Sequence, residues 1–547
     1  MNGRVLNQRQ IAQVFEDYHR AQTTFVQTIS ELASRTKNIE YLQQEGVMAL
    51  LRPLLLDMRP NIQYMAAMAL GRLADNSPDL ATGIITGDIL PQVIYGLGKN
   101  GVIYKRAACF IMKSIAKHSA ELAQAVVEGG GAAGLVTCLD APEAALREQA
   151  TEALGCIAKH TSDLAQSVVD AGAGPFLVFC LREPETSLKR AAVVTLGDIC
   201  KHSADLAQTI VDTGAVPYLA KMIGADDVRL RRCVFATLSH ISKHTLLLAE
   251  VVLDADVLPT MLVSMHDRDE TVAKNCAGLL REFCKYSEEI AQMVVNSGGI
   301  GATVEYLNTH RGPSRVPGLM TLGYLAAHSE TIAAAIIVAK ALPCLQATIK
   351  EPDEEDYVKA AAVWTIGQLA GHSSEHANTI CTGDMLPQIM AFASDDLAAS
   401  EDLRNKSRKT LRNLIDKCIY LPSLDMLLQH GPAVLKDAVI TQYSKILPHD
   451  AKARRAFVVS GGLKYIQQLD VTKGSALYEA IEAVNACYPP DIVKYFSPGY
   501  AEQLLEKVDR FAPSKNEYEK YLQDPNLAAG REISADKSKI EMISGKS

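Results

Sequence analysis

Aromatic side chains are scarce in this chain: Phe, Tyr and Trp make up 6% of it, and Trp364 is the single tryptophan. A core with so few of them must be filled by Ala, Leu, Val and Ile, which suits closely packed helices better than sheets. No stretch of about 18 uncharged apolar residues occurs, so no membrane span is expected. The opening MNGRVLNQRQ is polar and no apolar run follows it, so no secretory signal is expected. Asn2 stands where N-myristoylation requires glycine. The twelve cysteines contain no C-x-x-C pair. Cys138 and Cys180 lie at equivalent points of apolar runs, so the cysteines read as reduced, buried small hydrophobes and not as redox or metal groups. An excess of one charge is also missing. Against 55 basic residues stand 63 acidic ones, net charge −8. Nucleic acid and membrane are therefore not expected as partners, and any anion-binding surface must be a local patch.

What is present is repetition. At 547 residues the chain is too long for one ordinary core, which leaves several domains or a repeat array. The tripeptide K-H-[ST] stands at Lys117-His118-Ser119, Lys159-His160-Thr161, Lys201-His202-Ser203 and Lys243-His244-Thr245, each step 42 residues. The same phase gives Lys285-Tyr286-Ser287, Ala327-His328-Ser329 and, two residues late, Gly371-His372-Ser373. Upstream it lands on Asp75-Asn76-Ser77, and downstream His449-Asp450 reopens it. A second mark follows each tripeptide: Gly130 recurs as Gly172, Gly214 and Gly298, with Asp88, Asp256, Lys340 and Asp384 in phase.

These marks predict three helices per repeat. Ser119, Thr161, Ser203 and Thr245 suit N-caps, because a hydroxyl accepts from the unpaired amides of a first turn. Glu121, Asp163 and Asp205 put negative charge at the positive helix end. Leu122, Val126 and Val127 give the first helix an apolar face. Gly130, Gly172 and Gly214 end it in the left-handed conformation, and Pro175 and Pro217 fall where a second helix begins. A longer third helix follows, with Ala150, Leu154 and Ile157, then Ala192, Leu196 and Ile199, facing inward. The expected fold is all-α: an armadillo-type α-α superhelix, a right-handed solenoid of about 42-residue three-helix repeats whose layers share one continuous core. The expected organisation is an amphipathic capping helix over 1–33, about eight regular repeats over 34–385, degenerate helical repeats over 386–500, and a C-terminal helix with a partly disordered tail over 501–547. Ile11, Val14, Phe15, Tyr18, Phe25, Ile29 and Leu32 form the apolar side of the first helix. Besides capping, that side suits self-association or docking.

Candidate chemistry is thin. Seven histidines share the repeat phase, but in-register residues stand about 10 Å apart in a stack, too far for ligand bonds of roughly 2 Å to one zinc ion. Each histidine is instead expected to cap the end of the third helix, where carbonyls lack partners. Basic residues open the third helices: Lys105, Arg106, Arg147, Lys189, Arg190, Arg231, Arg232, Lys274, Arg315 and Lys359. In armadillo folds this helix lines the concave groove, so the row is either a stripe for an acidic partner or a solvated face paired with nearby acids. The acidic loop Glu351–Asp356 is expected to be solvated. Gly545-Lys546-Ser547 lacks the context of a phosphate loop. Asn405-Lys406-Ser407 fits a glycosylation acceptor but has no secretory route. No nucleophile–base pair and no cofactor cradle is found, so neither an enzyme nor a cofactor or metal is expected. Pro317, in RGPSRVPGLM, should shorten or tilt its third helix.

Several stretches carry a more specific resemblance: QVFEDY from Gln13, FVQTISELA from Phe25, GVMALLRPLLLD from Gly46, ALGRLA from Ala69, GDILPQ from Gly87, LPHDAKARRAFVVSGGLK from Leu447, and SPGY from Ser497. With them the chain resembles the sperm-associated antigen six family, armadillo proteins of the axonemal central apparatus, over roughly residues 11–510. It departs after about Phe511, where an extra tail begins. The resemblance implies a non-catalytic scaffold on one central-pair microtubule in the axoneme of a cilium or flagellum, part of the cytoplasmic cytoskeleton. It would bind tubulin and other central-apparatus proteins, stabilise the microtubule and support motility, with homo-oligomers along the lattice in keeping. The alternative is an armadillo adaptor for peptide motifs, of nuclear-import or signalling type. Import adaptors resemble arrays of Trp-x-x-x-Asn, whereas here Trp364 stands alone, followed four residues on by Gln368.

Overall fold

The structure, a computed structural model, describes residues 8–99, 101–395 and 399–510. The tail expected beyond residue 510, with Gly545-Lys546-Ser547, and the first seven residues lie outside the described ones. Among the described residues there are helices and no strand, and no single helix is long and apolar enough to cross a membrane. The chain divides into two compact units, Met1–Cys418 and Ile419–Ser547.

One layer of the first unit shows how the sequence builds it. The Ser119 hydroxyl accepts the Leu122 amide at 3.3 Å and starts helix Ala120–Glu128. Leu122 and Val126 are buried there, while Val127, expected beside them, is half-buried. Gly130 then takes φ 83°, a left-handed conformation that side chains other than glycine adopt at a cost. The chain turns by 77° into helix Gly131–Leu139, so the two short helices cross steeply. The third helix, Ala144–Ala158, lies in the layer with Ala150, Leu154 and Ile157 fully buried. Ser77, Thr161, Ser203, Thr245, Ser287, Ser329 and Ser373 repeat the cap. Asp88, Asp256 and Lys340 hold the left-handed position without being glycine. Asp384 does not, because an irregular turn over 382–385 replaces the tight break there.

The layers stack through their third helices. After α1 (Gln8–Leu32) these are α2 (Pro60–Asn76), α3 (Val102–Ala116), α4 (Ala144–Ala158), α5 (Thr186–Cys200), α6 (Val228–Ser242), α7 (Glu270–Cys284), α8 (Val316–His328), α9 (Asp356–Ala370) and α10 (Glu401–Lys417). Pro317 sits in the first turn of α8 and shortens it to 13 residues, against 15 in α3 to α7. Neighbouring third helices approach closely, and small residues permit it. Thr195 donates its hydroxyl to the Thr151 carbonyl at 2.9 Å, and Thr237 does the same to Val193 at 2.9 Å. Thr365 and Thr410 continue this to Leu319 at 2.8 Å and Val363 at 2.9 Å. Gly155, Gly197 and Gly367 face these hydroxyls, where a methyl would stand 2.6, 2.6 and 2.5 Å from the oxygen. The stack runs on past residue 385, since α10 packs on α9 in the same register.

The first helix caps the stack with only its second half. Val26 and Ile29 are buried against the first layer, and Arg59 ties α1 down through the His19 carbonyl at 3.2 Å and the Gln22 amide oxygen at 2.6 Å. Ile11, Val14, Phe15 and Tyr18, on the first half, are exposed.

The second unit is built of helices from Leu421–His430 to Tyr500–Asp509. Asp450 caps helix Ala451–Val459 by accepting the Lys452 and Ala453 amides at 2.8 and 3.2 Å, and Gly461 makes the left-handed break at φ 83°. The reopened pattern is therefore a first and second helix of the same kind. Gly499 of SPGY, at φ 76°, opens helix Tyr500–Asp509.

Candidate functional surface: the seams and the face of the third helices

The repeated tripeptide works at three helix ends. Its third residue is the N-cap already described. Its histidine does not cap its own third helix, as expected, but the helix of the preceding layer. His118 Nε2 meets the Ala74 carbonyl at 2.8 Å, His160 that of Ala116 at 2.7 Å, and His202 that of Ala158 at 2.8 Å. His244 reaches Cys200 at 2.7 Å, His328 reaches Cys284 at 2.8 Å, and His372 reaches Ala326. In-register stacking lays adjacent helix ends side by side, so a ring just past one helix reaches sideways to the next. A carbonyl only accepts, so Nε2 carries the hydrogen in each case. Tyr286, which breaks the tripeptide, donates its hydroxyl to the Ser242 carbonyl at 2.8 Å and keeps the bond.

The lysine adds a second tie. Lys117 Nζ donates to the Asp75 carbonyl at 2.6 Å, Lys159 to that of Lys117 at 2.9 Å, Lys243 to that of Lys201 at 2.6 Å, and Lys285 to that of Lys243 at 2.7 Å. Cations at helix C-termini also meet the negative end of the dipole. Burial pushes the pKa of His240 and of His244 down.

The row of basic residues splits in two. Six are engaged within the stack. Arg147 donates to the Ala141 carbonyl at 3.1 Å and pairs with Glu183 at 2.9 Å. Arg190 pairs with Asp227 at 3.6 Å, and Arg231 with Asp267 at 2.6 Å. Arg232 grips Asp269 with Nε at 2.9 Å and with its Nη2, and this hydrogen bonding pulls the Asp269 carboxyl down to about 2. Arg315 is 2% exposed, donates to the His310 carbonyl at 2.8 Å and reaches Glu354 at 3.4 Å. Lys359 is buried with its ammonium 3.3 Å from the Pro352 carbonyl. The acidic loop is thus not wholly solvated: Glu354 is buried because Arg315, in the layer before, draws it inward. The other four, Lys105, Arg106, Lys189 and Lys274, make no ion pair among the described residues, and Arg106 and Lys274 are exposed.

Between α3, α4 and α5 the third helices leave a groove of 330 Å³, lined by Lys113, Glu152, Cys156, Arg190, Val194 and Asp198. Lys113 crosses it to Glu152 at 2.7 Å. Cys138 and Cys180 are buried free thiols. Among the described residues no group of three His, Cys, Asp or Glu side chains could hold a metal ion.

Three-helix layers tied end to end in one register define an α-solenoid of the armadillo type. An engineered protein of known crystal structure shares this fold, with a TM-score of 0.65 and 19% identity over 80% of this chain and 98% of its own. The chain belongs to the sperm-associated antigen 6 family. It is 55% identical to sperm-associated antigen 6 of Mus musculus over 508 residues, 93% of this chain and 100% of the relative. It is 54% identical to that of Homo sapiens over 511 residues, with the same coverage. No protein-family model matches the chain.

Proposed function

We propose that the chain is a non-catalytic scaffold of the ciliary or flagellar axoneme, lying on a central-pair microtubule and stabilising it. The observation that carries the reading is identity over the whole length of sperm-associated antigen 6 from two species, at 55% and 54%. A stack of like layers supports it, because it offers area and repetition, and many modest contacts along a lattice multiply in effect. The unpaired cations Lys105, Arg106, Lys189 and Lys274 are among the groups on the third helices left to meet an acidic surface such as the glutamate-rich tails of tubulin. The exposed half of α1 supports association with further copies along the lattice. Co-sedimentation with microtubules tests the reading. Binding is expected to weaken as salt rises and to weaken further when all four lysines and arginines are changed to glutamate. Absence of the tagged chain from motile cilia would end it.

The adaptor alternative gains less support. Asn275 and Asn413 lie on third helices, but their amides donate to the Arg232 and Gly367 carbonyls of the preceding layer at 2.9 and 3.1 Å. They tie layers together and do not form a free ladder for a peptide backbone.

A further inference from the structure

The third helices change character within the stack. Charged side chains recur along α3, α4, α5, α7 and α10, whereas α6 keeps them to Arg229, Arg231 and Arg232 at its start. Between α7 and α10, α8 has no charged residue from Val316 to Ala327, and α9 has none from Ala360 to Ala370. On these two neutral helices Met320, Tyr324 and Trp364 are half-buried and leave apolar surface uncovered. The Trp364 ring lies over Gly323, where a methyl would collide with it, and meets Tyr324 edge-on at 5.1 Å. It is therefore held in place before anything binds.

The register shows what flanks this platform. Thr365 and Thr410 make the same seam bond, so Trp364 and Lys409, each one residue earlier, occupy equivalent positions on adjacent layers. Lys409 and Arg412 are exposed and make no ion pair among the described residues. On the other side, α7 carries Lys274 and a cluster in which Arg281 and Lys285 share one carboxylate, Glu282, leaving one positive charge over. Of the acids of α9 and α10, Asp356 accepts the Ser400 amide at 2.6 Å and Asp402 pairs with Lys406 at 2.8 Å, both, like Glu401, in the first turns. Asp416, exposed one turn beyond Arg412, offsets one of the two charges at that end and leaves one positive charge over.

We propose that this face of α7 to α10 is a docking site for an extended acidic peptide segment with an apolar anchor. The anchor packs on Trp364, Tyr324 and Met320, and carboxylates on either side meet Lys274 and the Arg281–Lys285 cluster at one end, Lys409 and Arg412 at the other. Three seams of about 10 Å separate the two basic ends, a span that an extended chain covers in roughly nine residues. The inference does not rest on the microtubule reading: it asks for apolar surface and charge together, and binding by charge alone would be a different event.

Trp364, as the single tryptophan, reports on the site directly. The full chain is titrated with three labelled peptides of about twelve residues: glutamates around a Leu-Phe centre, glutamates around a Gly-Ser centre, and lysines around a Leu-Phe centre. The first should saturate and change the Trp364 emission, with the other two at least about tenfold weaker. Lys409→Glu with Arg412→Glu, both at exposed positions, should weaken the first peptide about tenfold while leaving the thermal unfolding profile in place. Equal binding of the Gly-Ser peptide would reduce the site to a general polyanion surface and overturn the proposal. Preference for the lysine peptide, or saturation with no change at Trp364, would overturn it as well.

Discussion

At the scale of single residues, histidine carries much of the stack, and it must do so without extra charge where burial holds its pKa down. His240 and His244 are pushed below the ordinary value of 6.5 by burial. A base whose folded pKa is lowered binds fewer protons folded than unfolded as pH falls through about 6.5, so stability drops with acidification. Thermal melts should show a lower midpoint at pH 5.5 than at pH 7.5, and a His240→Asn, His244→Gln variant should show a smaller difference between the two. An equal difference in the variant would remove these histidines from the account. A second residue-scale outcome concerns the left-handed breaks. Lys340 holds φ 62° with an exposed side chain in no ion pair among the described residues. Relief of roughly 1–2 kcal/mol of backbone strain, less about 0.5–1 kcal/mol for the greater freedom of unfolded glycine, predicts that Lys340→Gly stabilises by roughly 0.5–1 kcal/mol, readable in a urea titration.

At the scale of the helix, one substitution should have opposite signs at two equivalent-looking glycines. Gly197 in α5 faces the Thr237 hydroxyl at 2.6 Å, whereas Gly278 in α7 has nothing within 4 Å. Gly278→Ala should gain up to about 1 kcal/mol of helix propensity. Gly197→Ala should lose about 1 kcal/mol net, because forcing the seam apart costs roughly 1–3 kcal/mol against that same gain. In a Thr237→Ala background the loss at Gly197 should shrink, which chemical denaturation of the four variants measures. The helices themselves were plain in the sequence, since caps, breaks and apolar spacing act within one repeat. Ser119 and Gly130 could be assigned from their neighbours alone. The seams were not plain. Nothing local says that His118 reaches a carbonyl 44 residues back, that Gly155 makes room for Thr195, or that Arg315 draws Glu354 inside. Those roles exist only once two layers are in register. For the same reason the sequence left the row of ten basic residues open between a stripe and a face paired with nearby acids, and could not say which six are held within the stack. The free pairing capacity of a side chain depends on the acid one layer away.

At the scale of the molecule, the first unit coheres because each layer supplies the missing partners of the one before. Imidazole and ammonium donors from one layer meet carbonyls that the preceding layer leaves open at helix ends, and threonine hydroxyls add a bond to mid-helix carbonyls at the seams. The ties thin out along the stack: lysine and histidine act together at the seams of His118, His160 and His244, Lys201 turns instead to Asp198 of its own helix, and Ala327 and Gly371 later stand in the lysine position and leave histidine alone. A stack built this way gains surface area with every repeat. Hydrogen exchange of His202→Ala against the parent chain tests the tie between layers most directly. The account predicts faster exchange in the last turn of Ala144–Ala158, a full repeat before the substitution, together with its seam to α5. Faster exchange confined to the substituted segment, around Lys201 to Asp212, would contradict it.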